Sequence, residues 1–314
     1  MRGFGDRIVD AHRADLREPT QASLRCHISS DAHTDLDTAS DIVSLSLFDL
    51  GALAVGQPET TSGASVLVAG FETTESASSV ANMLVELHPS LISETTIEMV
   101  SAAGWVDAQR AGLQTSRVGP WHIRAPWHDL SDDVPPKFDI QIDPGAAFGH
   151  GAHASTQLAA ELLLRHTTAE SRVLDLGTGT GVLAIIAARI GAAVVAIESD
   201  RHACEIARRN IDLNSTHPFE ATADRIELIH ADAASVDPES NDLVIANVTL
   251  DVQRRLAESC AKADRVVLSG VLCHQVRELQ DMYPNHYAST IRTAGEWASV
   301  EFSPAGSSRR KNNQ

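Results

Sequence analysis

This sequence predicts an α/β protein in two parts. The second half is a mostly parallel sheet covered by helices on both faces, and a small α+β domain precedes it. Three observations carry that expectation. From about residue 170, short apolar runs alternate with stretches of helical periodicity. The first hundred residues mix strand-like and helix-like segments without that regular alternation. Between the halves lies VGPWHIRAPWHDLSDDVPPKFD, whose prolines and acids break regular structure.

In chain order, SLRCHIS (23–29) predicts a strand and residues 35–50 a helix. ALAVG (52–56) and SVLVAGF (65–71) predict strands, and residues 75–87 a helix that stops before Pro89. A helix over 156–166 leads into the second half. There SRVLDL (171–176) is a short apolar strand and residues 181–190 an apolar helix. VVAIESD (194–200) is the next strand. HACEIARRNIDLN (202–214) is a helix with Ala203, Ile206, Ala207 and Ile211 on one face. RIELIHAD (225–232) and DLVIAN (242–247) follow as strands, 251–263 as a helix, RVVLSG (265–270) as a strand and 273–282 as a helix. Residues 287–302 supply two last strands, with GEW (295–297) as hairpin or bulge. The expected divisions are an extension over 1–20, an α+β domain over 21–105, a linker over 106–140, the sheet domain over 141–304 and a disordered tail over 305–314.

Composition narrows the function classes. The chain has 314 residues and a formal net charge of −17. That balance disfavours broad binding to nucleic acid or an anionic membrane, and it admits a basic protein partner. Cys26, Cys204, Cys260 and Cys273 are far apart with no C-x-x-C, which fits a reducing cytoplasm. No apolar run approaches a membrane span, and the charged N-terminus lacks a signal-peptide core.

LDLGTGTG (174–181) is the stretch with the clearest chemistry. A glycine turn after a strand is either a bare turn or a nucleotide cradle, and the surrounding acids favour the cradle. Its spacing is G-x-G-x-G through Gly177, Gly179 and Gly181, where a dinucleotide site reads G-x-G-x-x-G. Asp175 would repel a pyrophosphate. It would attract the ammonium of S-adenosylmethionine, directly or through water. Glu198, at the end of the second strand, can accept ribose hydroxyls in either ligand class. Asp232, at the end of the third, either accepts from an adenine amino group or caps the turn that follows. Three acids at successive strand ends suit a methyl donor better than a dinucleotide.

VLDLGTGTGVLAIIAARIGA resembles class I methyltransferases in general. IDPGAAFGHGAHASTQ (142–157) gives a narrower resemblance, to the methyltransferases of ribosomal protein L11, the PrmA family, which carry DPGxAFGTGxHxTT before the donor glycines. VIAN (244–247) is similar to their fourth-strand segment. The resemblance covers roughly 120–300, and the N-terminal part only in length, layout and a GALAV turn. It implies a Rossmann-like class I domain with a seven-stranded sheet, preceded by a small ferredoxin-like α+β domain that recognises a protein substrate. It implies S-adenosylmethionine as cofactor and methylation of lysine and N-terminal amines of ribosomal protein L11; a monomer is expected. Donor-binding positions carry over to Thr156, Gly177, Glu198 and Asn247. His150, Ser155 and Glu198 depart from the family form, as does Asn247-Val-Thr-Leu, and these departures bear on substrate choice.

Methyl transfer is an in-line displacement, so the protein mostly supplies alignment. A lysine acceptor must first lose its proton, at a cost of about 4–5 kcal/mol at pH 7 for a free side chain. Asn247 is the expected catalytic residue, accepting a hydrogen bond from the amine to orient its lone pair. His150 and His153 are either proton acceptors or loop hydrogen-bonders, and no third ligand makes them a metal pair. Phe148 either covers the donor or fills the core. Trp121 and Trp127 either touch substrate or pack between domains. The competing functions are methylation of another protein lysine or a small metabolite, a donor-binding module without catalysis, and a nicotinamide oxidoreductase.

Overall fold

The computed structural model describes residues 20–304 apart from 31–33, 53, 56–58, 62–63, 72, 102–112, 114, 146, 148, 217–220, 239–240, 264 and 285. The expected tail, nearly all of the expected extension, and Phe148 lie outside the described residues.

The N-terminal sheet is antiparallel. Strand β1 (Thr20–Ile28) runs between β4 (Ala64–Phe71) and β5 (Ile92–Ser101), and the short β2 (Ala54–Val55) and β3 (Glu59–Thr61) pair with β4. Helices α1 (Leu36–Asp49) and α2 (Thr74–Leu87) cross one face. This is the ferredoxin-like arrangement. Leu24, Cys26 and Leu67 point into the same core as Val43 and Leu47 of α1 and Val80 and Leu84 of α2. Thr73 starts α2: its Oγ1 accepts from Ser76 N at 3.1 Å, and its own N–H donates to Ser76 Oγ at 3.3 Å. That reciprocal cap satisfies donors that the first turn leaves open. The sequence reading assigned no strand to 92–101. ISETTIEMVS alternates too weakly for period two to stand out, and pairing with β1 along its length makes it a strand.

Residues 116–141 form a three-stranded sheet of β6 (Ser116–Val118), β7 (Trp121–Arg124) and β8 (Asp139–Gln141). Val118, Trp121, Ile123 and Ile140 bury into the core of the larger domain. Trp121 is 5% exposed, whereas Trp127 is 37% exposed.

The large sheet has seven strands. In spatial order they are β11 (Ile226–His230), β10 (Ala193–Glu198), β9 (Arg172–Leu176), β12 (Leu243–Asn247), β13 (Val266–Leu272), β15 (Trp297–Pro304) and β14 (His286–Ala294). The first five are parallel, and the last two form an antiparallel hairpin turning at Gly295, whose φ is +55°. Helices α3 (Ala154–His166), α4 (Val182–Ile190), α5 (Arg201–Leu213), α6 (Ala221–Asp224), α7 (Leu250–Cys260) and α8 (Val276–Asp281) connect and cover it. Every residue of β9 after Arg172 is buried, as is every residue of α4 from Val182 to Ala188. Apolar on all sides, both elements are stable only inside a layered α/β core. Strand order reverses between β9 and β12, which opens a crevice at their carboxyl ends.

Candidate active site

A cleft of about 320 Å³ occupies that crevice. Its floor is the turn after β9. Gly177 has φ +73°, and a Cβ there would lie 2.6 Å from Val248 Cγ1. Only glycine suits both the conformation and the space. Gly177 N and Thr178 N both donate to Ile197 O, at 2.9 and 3.0 Å, tying the turn to β10. Gly179 also lines the cleft. Gly181 does not: it precedes α4 with φ +84° and faces Ala207.

Asp175 lies beneath the turn, 1% exposed and outside the lining of the cleft. Its Oδ2 accepts a 2.6 Å hydrogen bond from Thr178 Oγ1. Burial pushes the carboxyl up to about 7; the Thr178 bond pulls it down, the Glu198 charge adds to the rise, and the Ala184 backbone N–H lowers it slightly. A nearby cation would stabilise the ionised form. Glu198 ends β10 and is buried. Its Oε2 accepts from Gly179 N at 2.9 Å and its Oε1 from Asp200 N at 3.0 Å. The carboxylate therefore shapes the glycine turn itself, lines the cleft, and retains a further lone pair on each oxygen. Of the two roles open for Asp232 in the sequence, the cap is formed: Oδ1 accepts from Ala234 N at 3.0 Å, and Oδ2 accepts from Arg255 Nη2 at 2.6 Å.

Asn247 closes β12 and lines the cleft with Thr156 of α3. Its Nδ2 donates to Thr156 Oγ1 at 3.1 Å. That bond fixes the amide, and Oδ1 is left buried without a partner. Asp143 and Gly149 are clamped onto the glycine turn. Asn210 Nδ2 donates to Asp143 O at 3.0 Å and Thr180 O at 2.9 Å, and Thr180 Oγ1 donates to Gly149 O at 2.6 Å. Burial pushes His150 down to about 4. Burial, with a smaller contribution from His150, pushes His153 down to about 3. Groups this hard to protonate are poor acceptors for a lysine proton. His153 instead caps α3, its Nδ1 accepting from Ser155 N at 3.2 Å.

The N-terminal domain reaches this site. Gly51 and Ala52 are part of the cleft lining. Asp41 of α1 accepts from Trp297 Nε1 at 3.3 Å, and its Oδ2 stands 3.7 Å from His153 Nε2.

Sequence reasoning missed several residues. Asn210 is 1% exposed on the apolar stripe of α5, and a lone amide on such a stripe is a signal that could have found it. Gln253 is wholly buried and donates to Val248 O at 3.0 Å and Ser269 O at 2.6 Å, holding the loop after Asn247. Nothing in the sequence marks it, nor the approach of Asp41, Gly51 and Ala52 from the N-terminal domain.

The buried Asn247 Oδ1 has no partner, and it belongs to a cleft that Glu198, Asp200 and Asp232 also line. Such a site suits a ligand that brings N–H donors and positive charge, and it suits S-adenosylmethionine where it would repel a pyrophosphate. Fold and site together define a Rossmann-like class I methyltransferase architecture. The chain belongs to the family described as ribosomal protein L11 methyltransferase (PrmA), which it matches over residues 29–304. It is 32% identical over 282 residues to the ribosomal protein L11 methyltransferase of Ralstonia pickettii, covering 80% of this chain and 89% of that one. It is 33% identical over 202 residues to the protein of the same name from Desulfitobacterium hafniense, covering 63% of this chain and 62% of that one. The alignment thus spans about three fifths of that second relative's length. Among solved structures it resembles the ribosomal protein L11 methylase of Lactobacillus delbrueckii subsp. bulgaricus, with a TM-score of 0.51 and 26% identity over 60% of this chain and 95% of that chain.

Proposed function

We propose that this protein transfers methyl groups from S-adenosylmethionine to amine nitrogens of a protein substrate, ribosomal protein L11. The observation that carries the reading is Asn247: its amide is pinned by Thr156 and its carbonyl oxygen faces no protein donor. When bound, S-adenosylmethionine supplies an electrophilic methyl on a sulfonium. The chain's own residues do the rest. Gly177 and Gly179 let the backbone approach the donor, Glu198 holds their turn and meets the ribose, and Asp175 offsets the ammonium. Asn247 Oδ1 accepts from the incoming neutral amine and aims its lone pair. Val248, Val252 and Leu256 make the cleft wall apolar. That favours the uncharged amine over the ammonium.

The ferredoxin-like domain serves as the recognition unit, and the acidic chain suits a basic partner. The work is cytoplasmic; among the described residues no helix is long and apolar enough to cross a membrane. The test is label transfer from methyl-labelled S-adenosylmethionine to purified ribosomal protein L11, with Glu198→Ala as control and a metabolite extract in parallel. Label on the protein, lost in the control, is the expected result. Label confined to the extract would overturn the substrate, and no label anywhere would overturn the activity.

A further inference from the structure

The parallel sheet has a second opening at its other end. Leu164 and Thr167 stand at the close of α3, Ala188 to Gly191 at the close of α4, and Arg225 immediately before β11. These positions lie at the amino ends of β9, β10 and β11, a strand's length from the donor cleft, on the order of 17 Å. Between them is a cavity of about 580 Å³. That is an ordinary size for a small-ligand site.

Its walls differ in charge from the chain as a whole. Lys137, Arg189 and Arg225 line it, and among the described lining residues there is no carboxylate. The chain's formal net charge is −17. The cations are anchored: Arg225 Nη1 donates to Gly191 O at 2.6 Å, and Arg189 Nη2 donates to Lys137 O at 2.8 Å. Arg189 lies 5.7 Å from the Trp121 ring centre, and Lys137 Nζ lies 4.8 Å from that of Phe138. Asp139 acts on Arg189, but its carboxylate is engaged by Arg124 at 2.8 and 2.9 Å. Burial lowers the Arg189 pKa, with Asp139 opposing.

Two wall residues also lack partners. Trp121 Nε1 and Thr167 Oγ1 are buried and make no hydrogen bond. An indole N–H only donates, so whatever relieves it must accept. Leu164, Ala188 and Ile190 supply an apolar surface alongside. We propose that this cavity binds a small organic anion, its carboxylate or phosphate head held by Lys137, Arg189 and Arg225 and its apolar body against Leu164, Ala188 and Ile190. The site is separate from the donor cleft and does not depend on which acceptor is methylated.

The test follows the Trp121 indole N–H in proton–nitrogen correlation spectra of the full chain, assigned by its loss in Trp121→Phe. Phenyl phosphate and phenylacetate are the probes and benzyl alcohol the neutral control, all with S-adenosylhomocysteine present to fill the donor cleft. Either anion is expected to shift the indole signal saturably. Arg225→Gln, at an exposed position, should weaken that binding about tenfold, the worth of one charged hydrogen bond. A stronger response to phenyl phosphate assigns the natural ligand a phosphate, and a stronger response to phenylacetate assigns it a carboxylate. No saturable shift with either anion, an equal shift with benzyl alcohol, or unchanged affinity in both Arg189→Gln and Arg225→Gln would overturn the proposal. The readout is independent of methyl transfer, so failure of the label assay leaves it intact.

Discussion

The two sheets of this molecule solve the same burial problem in different ways. The N-terminal sheet is antiparallel and covered on one face, so β1 alternates: Leu24, Cys26 and Ile28 are buried while Arg25 and His27 are only partly so. The large sheet is covered on both faces, and β9 and β12 read as nearly unbroken apolar runs. All five parallel strands of the large sheet also point their carboxyl ends the same way. Loops therefore gather at one edge and build a cleft there. An antiparallel sheet has no such edge. The cleft accordingly lies at the carboxyl edge of the large sheet, and among the described residues the smaller unit adds only Gly51 and Ala52 to its lining.

The comparison breaks if the cleft tolerates a side chain on its floor. Gly177→Ala places a methyl where Val248 stands and demands φ +73° of an alanine. Affinity for S-adenosylhomocysteine, read by calorimetry, should fall by about a hundredfold or more; unchanged affinity would move the donor elsewhere. Asn247→Ala should lower kcat on the protein substrate by on the order of a hundredfold, with a smaller change in donor affinity. A loss confined to donor affinity would make Asn247 a binding residue only.

Asp175 sharpens the contrast through pH. Its folded-state pKa of about 7 lies above the ordinary value of 3.8. Between those values the folded chain holds a proton that the unfolded chain has released. Stability from this group is therefore fully present below the unfolded pKa and lost as pH rises through about 7. Asp175→Asn should flatten that slope and be the more stable protein at pH 8, by up to a few kcal/mol in urea titrations. Binding of S-adenosylhomocysteine, which brings an ammonium, should release a proton near neutral pH. Calorimetry in two buffers of different ionisation enthalpy would show it.

The smallest effect is expected between the units. Asp41→Ala removes the Trp297 contact and the charge facing His153. Global stability should change by about 1 kcal/mol or less, because Asp41 is partly exposed. Backbone hydrogen exchange at Gly51 and Ala52, which line the cleft, should accelerate. An unchanged exchange rate would mean that Asp41 does not hold the two units together.

The large sheet was legible because its signals are local. A continuous apolar run, a glycine turn and an acid at a strand end are each written within a few residues, as in 172–181 and 193–198. Of the expected site residues, Gly177, Gly179, Glu198, Asp232, Asn247 and Thr156 line the cleft, and Asp175 and Gly181 do not. What the sequence hid depends on distance. Gln253 matters because Val248 and Ser269 happen to offer carbonyls to it. Strand β5 is rich in β-branched residues but lacks a clean period of two, and its pairing with β1 is what makes it plain. Asp175 was expected at the ligand, and only the folded chain shows Thr178 between it and the cleft. The strands at 116–141 sit in a stretch whose prolines read as a break, and burial of Ile123 and Ile140 outweighs that tendency.

Gly51 and Ala52 make the rim of the cleft out of two separately folded units. Such a rim cannot part without moving one unit against the other. Under the proposed function, spent donor would leave and fresh donor enter through a boundary that the N-terminal unit helps to form. The pace of successive rounds would then be set by how fast that boundary opens against how long the acceptor stays.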